Sequence, residues 1–271
     1  MRIATWNVNS LKARQEKVDW WLARAQPDVL LMQETKLADS EAPVMAFSMA
    51  GYQLVHHGEG RWNGVAAAVR EGLGIDEIVT NFGDGPVRNS GAGAASLQEE
   101  DFDPSDEARM LSLRVTPPGG DPLRLVSLYA PNGRVVGSPF YAGKLKWFER
   151  AARWLREARW RQEPLILGGD LNVAPADADV WDPRLAHGGT HVSEPEREAF
   201  RALLAWGLHD AYREAHPELR GRFTWWDYRA GNFHKNYGMR IDHLLVSEPL
   251  AGRVVAVEID REARKGKPIP S

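Results

Sequence analysis

The 271-residue chain has no cysteine. This absence excludes a disulfide framework and zinc sites made of thiolates, and it suits a reducing compartment such as the cytoplasm. No apolar run approaches the ~20 residues that span a bilayer, and Met1 leads directly into a strand-like segment, so we predict neither a membrane span nor a targeting segment. Linkers, repeats and low-complexity runs are also absent, which favours one domain over residues 1–271.

An excess of charge of either sign is also missing, because 34 Lys and Arg against 37 Asp and Glu leave a net charge of −3. This balance argues against a protein that coats nucleic acid through bulk electrostatics, so any contact with nucleic acid must be local. One stretch rich in Gly and Asn carries basic side chains suited to phosphate contacts: Arg220, Arg222, Arg229, Lys235 and Arg240.

The most informative motif is Gly168-Gly169-Asp170-Leu171-Asn172, which follows an apolar run that reads as a buried strand. Asp170 and Asn172 are two residues apart and therefore face the same side of an extended chain. A carboxylate and an amide so placed can polarise a water and hold an oxyanion. By itself the motif is equally compatible with an ordinary turn, because Gly-Asp begins many turns.

Three other predicted strands carry polar residues at or near their ends. The first strand ends in two amides, Asn7 and Asn9, and the second runs into Glu34. A later strand has Asp242 near its start between aliphatic residues, where an isolated carboxylate is costly unless it is paired or binds a cation. Four such positions in one chain indicate a shared functional site.

Runs of strands with a few interspersed helices predict two mixed sheets packed face to face, with helices outside. The predicted strands are residues 2–8, 28–33, 52–57, 64–70, 109–115, 123–129, 164–168, 241–247 and 253–258. The predicted helices are residues 11–25, 140–162 and 195–206. Residues 81–108 are rich in Gly, Ser and acidic residues and form a loop longer than connection statistics favour.

Six motifs follow one another along the chain: Thr5–Arg14, Gln33–Lys36, Tyr129–Gly133, Gly168–Asn172, Phe223–Arg229 and Arg240–Asp242. In that arrangement the chain resembles exonuclease III, the bacterial apurinic/apyrimidinic (AP) endonuclease of the endonuclease/exonuclease/phosphatase superfamily. The resemblance runs from Met1 to the last residues. It implies a four-layer α/β sandwich of two mixed β-sheets flanked by helices, with the site at one edge where the loops of the sheets meet.

Hydrolysis of a phosphodiester needs an attacking water, neutralised non-bridging oxygens and a stabilised leaving alkoxide. A hard divalent cation held by carboxylates meets these needs. Glu34 is the candidate metal ligand, with a surface glutamate at a helix start as the alternative reading. The resemblance implies that Asn7 assists at the metal and that the cofactor is Mg²⁺, with Mn²⁺ as the alternative.

The resemblance also implies a catalytic set. In it Asp170 orients or activates the attacking water, Asn172 hydrogen-bonds the reacting phosphate, and Tyr129 and Asp242 complete the group. Tyr129 ends an apolar strand and would also suit the core, yet the turn after it would present it to phosphate.

Further residues are predicted to bind substrate. Asn132 lies in the turn after Tyr129 and would face phosphate, and Arg109 and Asn9 are assigned to the same set.

Three apolar residues, Trp225, Met239 and Ile241, match positions that form the family's pocket for a flipped-out abasic sugar. A deoxyribose without a base fits a small apolar pocket that excludes an intact nucleotide, and an unpaired site is cheap to extrude. The alternative is that Trp225 and Ile241 belong to the core.

The end of the chain departs from the family pattern. There, a Ser-Asp-His motif precedes a closing strand, and its His pairs with the carboxylate that corresponds to Asp242. Residues 264–271 reproduce the approach to that motif, and Ser271 matches its first residue. We therefore expect this chain to lack that His and strand and to be less active, since one positioned acid or donor contributes ~10²- to 10⁴-fold in rate. His243 is a poor substitute, because alternation along a strand points it away from the face of Asp242.

Together these residues predict a metal-dependent DNA repair phosphodiesterase that cleaves 5′ to abasic sites, with 3′–5′ exonuclease and 3′-end-cleaning activity. Its predicted substrate is double-stranded DNA with abasic sites or blocked 3′ ends, bound by a monomer in the cytoplasm, at the nucleoid of a bacterium. Two alternatives stay open: a phosphoesterase of the same superfamily with a non-DNA substrate, and a non-catalytic binder of abasic DNA. The Phe223–Trp226 motif favours DNA repair over the first, and binding without product would identify the second.

Overall fold

The computed structural model describes residues 1–83, 102–156 and 163–265. Its strands are β1 (Ile3–Asn7), β2 (Val29–Gln33), β3 (Tyr52–His57), β4 (Val65–Arg70), β5 (Gly74–Thr80), β6 (Met110–Thr116), β7 (Leu123–Tyr129), β8 (Leu165–Asp170), β9 (Leu208–Asp210), β10 (Trp225–Trp226), β11 (Gly238–Met239) and β12 (Asp242–Ser247). Its α-helices are α1 (Leu11–Ala25), α2 (Val44–Met49), α3 (Pro139–Leu155), α4 (Pro183–Ala186), α5 (Glu194–Leu204), α6 (Ala211–Ala215), α7 (Asn232–Lys235) and α8 (Glu248–Ala251). Short 3-10 helices cover Asp39–Glu41, Pro104–Asp106, Asp177–Asp179, Arg229–Gly231 and Arg261–Arg264.

Ten of these strands form two mixed sheets. The first sheet has the order β1-β2-β4-β3, in which β1 and β2 are parallel and the other pairs antiparallel. The second sheet has the order β5-β6-β7-β8-β12-β9, in which only β7 and β8 are parallel. The short β10 and β11 pair separately as an antiparallel ribbon.

The two sheets pack face to face through a layer of aliphatic side chains. This layer joins Val29 and Leu31 of the first sheet to Leu111, Leu113 and Leu125 of the second. Such β-branched and aliphatic residues on consecutive positions are what a strand covered on both faces requires.

Helices cover the outer faces of the two sheets, and residues at the helix N-termini favour helix formation there. The Ser10 side chain caps α1 by accepting a hydrogen bond from the Ala13 N–H, and Ser138 caps α3 in the same way with Tyr141. Pro139 takes the first position of α3, where its missing N–H costs nothing. Helix α1 packs on the first sheet, and α3 and α5 pack on the second. The four-layer α/β sandwich is therefore confirmed.

The predicted strand over residues 253–258 is wrong. Residues 254–260 form no regular structure, and Val255 is fully exposed. The short strand β9 pairs with the second edge of β12, so this edge is not open to residues 253–258. Within the predicted loop 81–108, residues 84–101 lie outside the described part, as do residues 157–162 of the predicted helix 140–162.

One edge of the first sheet has no strand partner among the described residues. Strand β1 pairs only with β2. At the last residue of β1, the Arg264 side chain donates a hydrogen bond to the Asn7 carbonyl at 3.0 Å. Residues 266–271, which approach the expected Ser-Asp-His motif, lie outside the described residues. No helix in the described ranges is long and apolar enough to cross a membrane.

Candidate active site

The predicted polar residues meet at one edge of the sandwich. Parallel strands β1 and β2 both end there, at Asn7 and at the residue before Glu34, and parallel strands β7 and β8 end there at Tyr129 and Asp170. Because carboxyl ends of parallel strands lie at the same edge, each sheet delivers two of these side chains together. Asp242 joins them from antiparallel β12, where it lies directly opposite Asp170.

Asn7 links the two sheets at this edge. Its Nδ2 donates to Glu34 Oε1 at 2.7 Å and to Asp170 Oδ2 at 2.8 Å, and its Oδ1 accepts from the Asn9 N–H at 3.0 Å. Asn9 in turn accepts a hydrogen bond from Lys36 Nζ at 2.6 Å. The amide of Asn7 therefore holds both carboxylates in one geometry, while Asn9 supports the amide.

Glu34 has a left-handed backbone (φ +54°), which turns its side chain from the strand end toward the site. Burial alone raises its pKa, but hydrogen bonds from Asn7 and Lys36 and the Lys36 charge outweigh burial, so that the pKa of Glu34 is lowered. The Lys36 ammonium is 2.9 Å from Glu34 Oε2. Glu34 is therefore ionised at neutral pH and suited to a cation.

Asp170 and Asp242 are buried beside each other. Burial raises the pKa of Asp170 well above its ordinary value, and repulsion from Asp242 raises it further. Burial also raises the pKa of Asp242, against the lowering effect of Arg264, whose Nη2 lies 3.5 Å from Asp242 Oδ2. Within the described residues neither carboxylate oxygen of Asp242 has a hydrogen-bond partner. The ion pair with Arg264 thus offsets the buried negative charge of this site only in part.

These donors fit a divalent cation. Carboxylate and amide oxygens are the ligands of hard cations. The Asp242 oxygens have no hydrogen-bond partner among the described residues, and the pKa of Asp170 is raised, so this edge favours additional positive charge. In the described part of the chain no three His, Cys, Asp or Glu side chains form a closed metal cage. A cation that keeps several waters and uses one or two carboxylates needs no such cage.

Two further amides line the site. The Asn172 N–H donates to Asp170 Oδ1 at 2.9 Å, and its Nδ2 donates to the Ala130 carbonyl at 2.9 Å. Asn172 has φ +52°, a left-handed conformation that Asn adopts more readily than most residues. Asn132 Nδ2 lies 3.5 Å from Asn172 Oδ1, on the exposed side. Both predicted phosphate-binding amides are therefore adjacent.

Tyr129 remains a phenol over the neutral range. Burial raises its pKa well above the ordinary value, and the neighbouring Glu34 carboxylate raises it further. Arg109 is placed behind this ring, with its guanidinium 4.6 Å from the ring centroid, and it is paired with Glu107 at 2.5 Å. Its Nη1 donates to the Tyr129 carbonyl at 3.3 Å. Arg109 thus supports Tyr129, and its predicted contact with substrate stays a prediction.

The three predicted pocket residues form one apolar cluster. Trp225 pairs with Met239 in the β10–β11 ribbon, and both pack with buried Ile241. Other members of the cluster are Ala174, Val180, Val192 and Ala186. His191, which no sequence pattern marked, lies against Trp225 with ring centroids 6.3 Å apart. Burial and the Lys144 charge lower its pKa to about 4, so His191 is neutral at pH 7.

Arg240 does not reach phosphate, contrary to the prediction for the basic stretch. Its guanidinium is buried and paired with Asp179 at 2.7 Å and with Asp210 at 2.7 Å. His243 belongs to the same network, with Nδ1 2.9 Å from Arg240 Nη1 and Nε2 2.9 Å from the Val173 carbonyl. His243 therefore lies on the face opposite Asp242, as alternation predicts, and Arg240 anchors the strand that carries Ile241.

Comparison with known proteins supports the resemblance. A model of the Endonuclease/Exonuclease/phosphatase family matches residues 4–271. Exodeoxyribonuclease III of Haemophilus influenzae is 30% identical over an alignment that covers 97% of this chain and 94% of that protein. The structure of the 3′ phosphatase NExo from Neisseria, bound to a product DNA hairpin, has a TM-score of 0.85 and 34% identity over 99% of this chain and 95% of that one. An AP endonuclease from Archaeoglobus fulgidus has a TM-score of 0.80 and 32% identity over 94% of this chain and 90% of that one. The resemblance to exonuclease III is confirmed.

Proposed function

The chain belongs to the endonuclease/exonuclease/phosphatase family, and we propose that within it the protein is a divalent-metal-dependent DNA repair phosphodiesterase. Its reactions are cleavage on the 5′ side of abasic sites, 3′–5′ exonuclease action and removal of blocking groups from 3′ ends. The observation that carries this proposal is the meeting of Asn7, Glu34, Tyr129, Asp170 and Asn172 at one edge of the sandwich, joined by direct hydrogen bonds. The similar proteins are named for an exonuclease, a 3′ phosphatase and an AP endonuclease, which supports the same range.

One bond accounts for all three reactions. Incision 5′ to an abasic site, release of a terminal nucleotide from a 3′ end and removal of a 3′ phosphate each break the bond between phosphorus and a 3′ oxygen. Each leaves a 3′ hydroxyl on the retained strand. A single arrangement of water-activating and phosphate-binding groups therefore serves all three reactions. The reactions differ in the group that the phosphorus carries on the side opposite the 3′ oxygen.

Asp170 is the group that orients and deprotonates the attacking water. Its raised pKa makes it a stronger base than an exposed carboxylate, and general-base efficiency increases as the pKa of the base approaches the working pH. Hydrogen bonds from Asn7 and from the Asn172 N–H each occupy one of its oxygens and fix the plane of the carboxylate. A second lone pair on each oxygen remains for water.

Tyr129, Asn132 and Asn172 supply neutral donors to the phosphate. The raised pKa of Tyr129 keeps its proton in place, so that its hydroxyl donates rather than repels at a phosphate oxygen. The amides of Asn132 and Asn172 lie next to each other, and each retains one side-chain N–H besides the hydrogen bond that it already donates. Preorganised donors aimed at developing charge are typically worth 10²- to 10³-fold each in rate.

Asn7, whose amide N–H groups hold the Glu34 and Asp170 carboxylates, would assist at the metal, and Glu34 would bind the divalent cation. When bound, it neutralises charge on the phosphate and stabilises the leaving 3′ oxygen as a Lewis acid. We propose Mg²⁺ as the native ion, with Mn²⁺ as a substitute, because a single well-ionised carboxylate and an amide suit an ion that keeps most of its waters. Asp242 adds negative charge at the same edge and strengthens the attraction.

The apolar cluster of Trp225, Met239 and Ile241 is proposed to receive the deoxyribose next to the scissile phosphate. A sugar without a base has small apolar faces that match such a surface, whereas a stacked base pair holds an intact nucleotide in the duplex. Because a 3′ terminal sugar also frays from the duplex at low cost, the same surface suits 3′ ends. Discrimination by shape of this kind works by excluding larger groups.

An exposed aromatic residue lies close to the site and supports DNA as the substrate. Trp62 is 56% exposed, and the Arg61 guanidinium lies 5.3 Å from its ring centroid. The same loop is bonded to the metal-site loop, since the Asn63 carbonyl accepts from the Lys36 N–H at 2.9 Å. An aromatic ring and a cation on one loop are the usual elements of base and phosphate contact. We propose that a monomer, located in the cytoplasm, binds one DNA site in this way.

The proposal is tested by product mapping on a panel of labelled duplexes. The panel contains an internal tetrahydrofuran abasic analogue, a 3′ phosphate, a 3′ hydroxyl end and an intact circular duplex, each incubated with Mg²⁺ or with EDTA. We expect Mg²⁺-dependent products that all carry 3′ hydroxyl ends, and no cleavage of the intact circle. The exposed Asp121→Asn variant is the matched control and should behave as the wild type.

Three outcomes would redirect the proposal. Retention of damaged DNA without any product would indicate the non-catalytic binder. Neither binding nor product would indicate a phosphoester other than DNA. Products that carry a 3′ phosphate would contradict the proposed bond and with it the assigned roles of Asp170 and Tyr129.

A further inference from the structure

A lysine and a glutamate form an ion pair deep between two helices. Lys144 of α3 and Glu196 of α5 are hydrogen-bonded to each other, and both side chains have 0% exposure. Removing two charges from water is costly, and such a pair is often no more stabilising than apolar residues of the same volume. The pair therefore calls for a role besides stability.

The other hydrogen bonds of Lys144 go to the backbone of the two amide residues at the site. Its Nζ donates to the Asn172 carbonyl at 2.7 Å and to the Asn132 carbonyl at 3.4 Å. An ammonium has three N–H donors, and Glu196, Asn172 and Asn132 use all three. A single buried charge thus joins the loop after β7 to the loop after β8.

Glu196 fixes a third segment against the same two loops. Its oxygens accept from the His191 N–H at 3.0 Å, the Ser193 hydroxyl at 2.6 Å and the Thr190 hydroxyl at 3.2 Å. The Thr190 hydroxyl is also 3.2 Å from the Asn132 carbonyl, and His191 Nδ1 donates to the Asn172 carbonyl at 2.7 Å. The carboxylate therefore holds the His191 donor on the Asn172 carbonyl, and it lies with the Asn132 carbonyl within reach of the single proton of the Thr190 hydroxyl.

Gly133 makes room for this arrangement. It has φ +85°, and a Cβ there would lie 3.0 Å from Lys144 Cδ, so a larger residue would push the lysine stem away from Asn132. The turn after Asn132 is thereby shaped around the Lys144 side chain.

We propose that Lys144 and Glu196 are positioning residues that set the spacing between Asn132 and Asn172, and so align the two amides on the reacting phosphate. This inference rests on the proposed function of those amides. Neither charge lies at the reacting atoms; both act through backbone carbonyls. Misplacement of a phosphate-binding group by about 1 Å can cost 10²-fold in rate, so loss of the lysine should reduce kcat without a matching change in KM.

The competing explanation is that the pair only stabilises the packing of α3 on α5. Stability and alignment respond differently to removal of one charge and of both. Lys144→Met leaves Glu196 as an unpaired buried carboxylate, which is strongly destabilising, whereas Lys144→Met with Glu196→Gln leaves no buried charge. The double variant should therefore recover stability, while the Asn132 and Asn172 carbonyls still lack their ammonium donor.

The experiment measures kcat, KM and Tm for 3′-phosphate removal by the wild type, Lys144→Met and the double variant. We expect a Tm about 10 °C lower for Lys144→Met and largely restored in the double variant. We expect kcat to fall about 10- to 100-fold in both, with KM within about threefold. Arg124→Met is the matched control, because Arg124 is an equally buried cation, paired with Glu163 at 2.7 Å at the far end of β7. It should lower Tm and leave kcat unchanged.

A double variant with both Tm and kcat at the wild-type level would overturn the inference, as would a kcat loss of the same size in Arg124→Met. Hydrogen exchange provides a readout that does not depend on turnover: amides of residues 131–134 and 171–174 should exchange faster in the double variant than in the wild type. If the wild-type chain hydrolyses no DNA phosphoester, the proposed function fails, and the exchange rates alone decide whether the pair holds these loops. Equal exchange rates of these amides in the wild type and the double variant would then refute the positioning role of Lys144 and Glu196.

Discussion

The carboxylate of Asp170 lowers the stability of the folded protein near neutral pH. Its carboxylate is buried beside Asp242, and both effects raise its pKa. An acid whose pKa is higher in the folded than in the unfolded chain retains its proton to higher pH in the folded state. The contribution of such a group to the free energy of unfolding is therefore greatest below its pKa in the unfolded chain. This contribution is lost as the pH rises through its pKa in the folded protein.

The variant Asp170→Asn should remove the loss of stability that ionisation of the buried Asp170 carboxylate causes. In EDTA we expect its Tm relative to the wild type to increase as pH rises from about 4 to 8, reaching about 3 °C above the wild type, or ~1 kcal/mol, since a neutral amide feels no repulsion from Asp242. Differential scanning calorimetry across this range measures the difference. Mg²⁺ should shrink it by stabilising only the wild type. A difference that does not change with pH, or the same trend in Asp121→Asn, would contradict the assigned repulsion.

Residues at strand ends could be predicted from the sequence, but their supports could not. Asn7, Glu34 and Asp170 each follow an apolar run, and that pattern alone places them at an edge. His191 is a lone histidine in a polar stretch and has no comparable signal. Lys144 has a weak sequence signal. It lies on the same helix face as the buried Tyr141, Trp147 and Phe148, where the 3.6-residue period predicts an apolar side chain.

At the scale of elements, β8 is the strand on which the site depends most. It lies between β7 and β12, and its Gly169 faces the Leu128 backbone so closely that a Cβ would be 1.9 Å from the Leu128 carbonyl oxygen. A Cβ at Gly168 would lie 2.8 Å from Leu31 Cδ1, which is the end of a flexible side chain, so Gly168 is less restricted than Gly169. Two glycines therefore allow β8 to bring Asp170 between its neighbours.

We expect Gly169→Ala to destabilise the protein by about 3 kcal/mol, because backbone atoms cannot move aside as a flexible side chain can. Urea denaturation at equilibrium measures the change. Gly74→Ala in the edge strand β5 is the control, since its nearest contacts lie at 3.6 Å and its change should stay within about 0.5 kcal/mol. Equal effects at the two glycines would refute the close approach of β7 and β8.

Helix α1 was predicted to the residue, helix α3 ends at Leu155 and so before its predicted end at residue 162, and the short strand β9 was not predicted. The prediction for α1 matches its bounds of Leu11–Ala25, because Ser10 and the apolar spacing mark them. Strand β9 has only three residues, and its pairing with β12 depends on partners distant in sequence. The error at residues 253–258 has the same cause, since apolar alternation alone does not show whether a partner strand distant in sequence lies beside the segment.

At the scale of the whole molecule, a net charge of −3 limits how DNA can be bound. Contacts must come from a few cations around the site, such as Arg61 and Lys235, because the overall field does not attract a polyanion. Several other basic groups are already paired with acids, among them Arg229 with Asp227 at 2.7 Å. The binding surface is therefore small and local.

This predicts a shallow salt dependence. The logarithm of the association constant plotted against the logarithm of salt concentration should have a slope of about −2 to −4, corresponding to two to four phosphates neutralised. Fluorescence anisotropy with the Asp170→Asn variant and a 3′-phosphorylated hairpin measures it without turnover. A slope steeper than about −7 would indicate an extended cationic surface and contradict the local mode.

We propose that the carboxylate of Asp170, within the Asn7–Glu34–Asn172 site, drives hydrolysis at a DNA 3′ oxygen. The most direct measurement is single-turnover release of inorganic phosphate from a 3′-phosphorylated duplex, with the wild type and Asp170→Asn, each in Mg²⁺ and in EDTA. We expect the wild type to release phosphate only with Mg²⁺, and the variant to release it at least ~10³-fold more slowly while it still binds the duplex. Equal rates in wild type and variant, or release in EDTA, would contradict it.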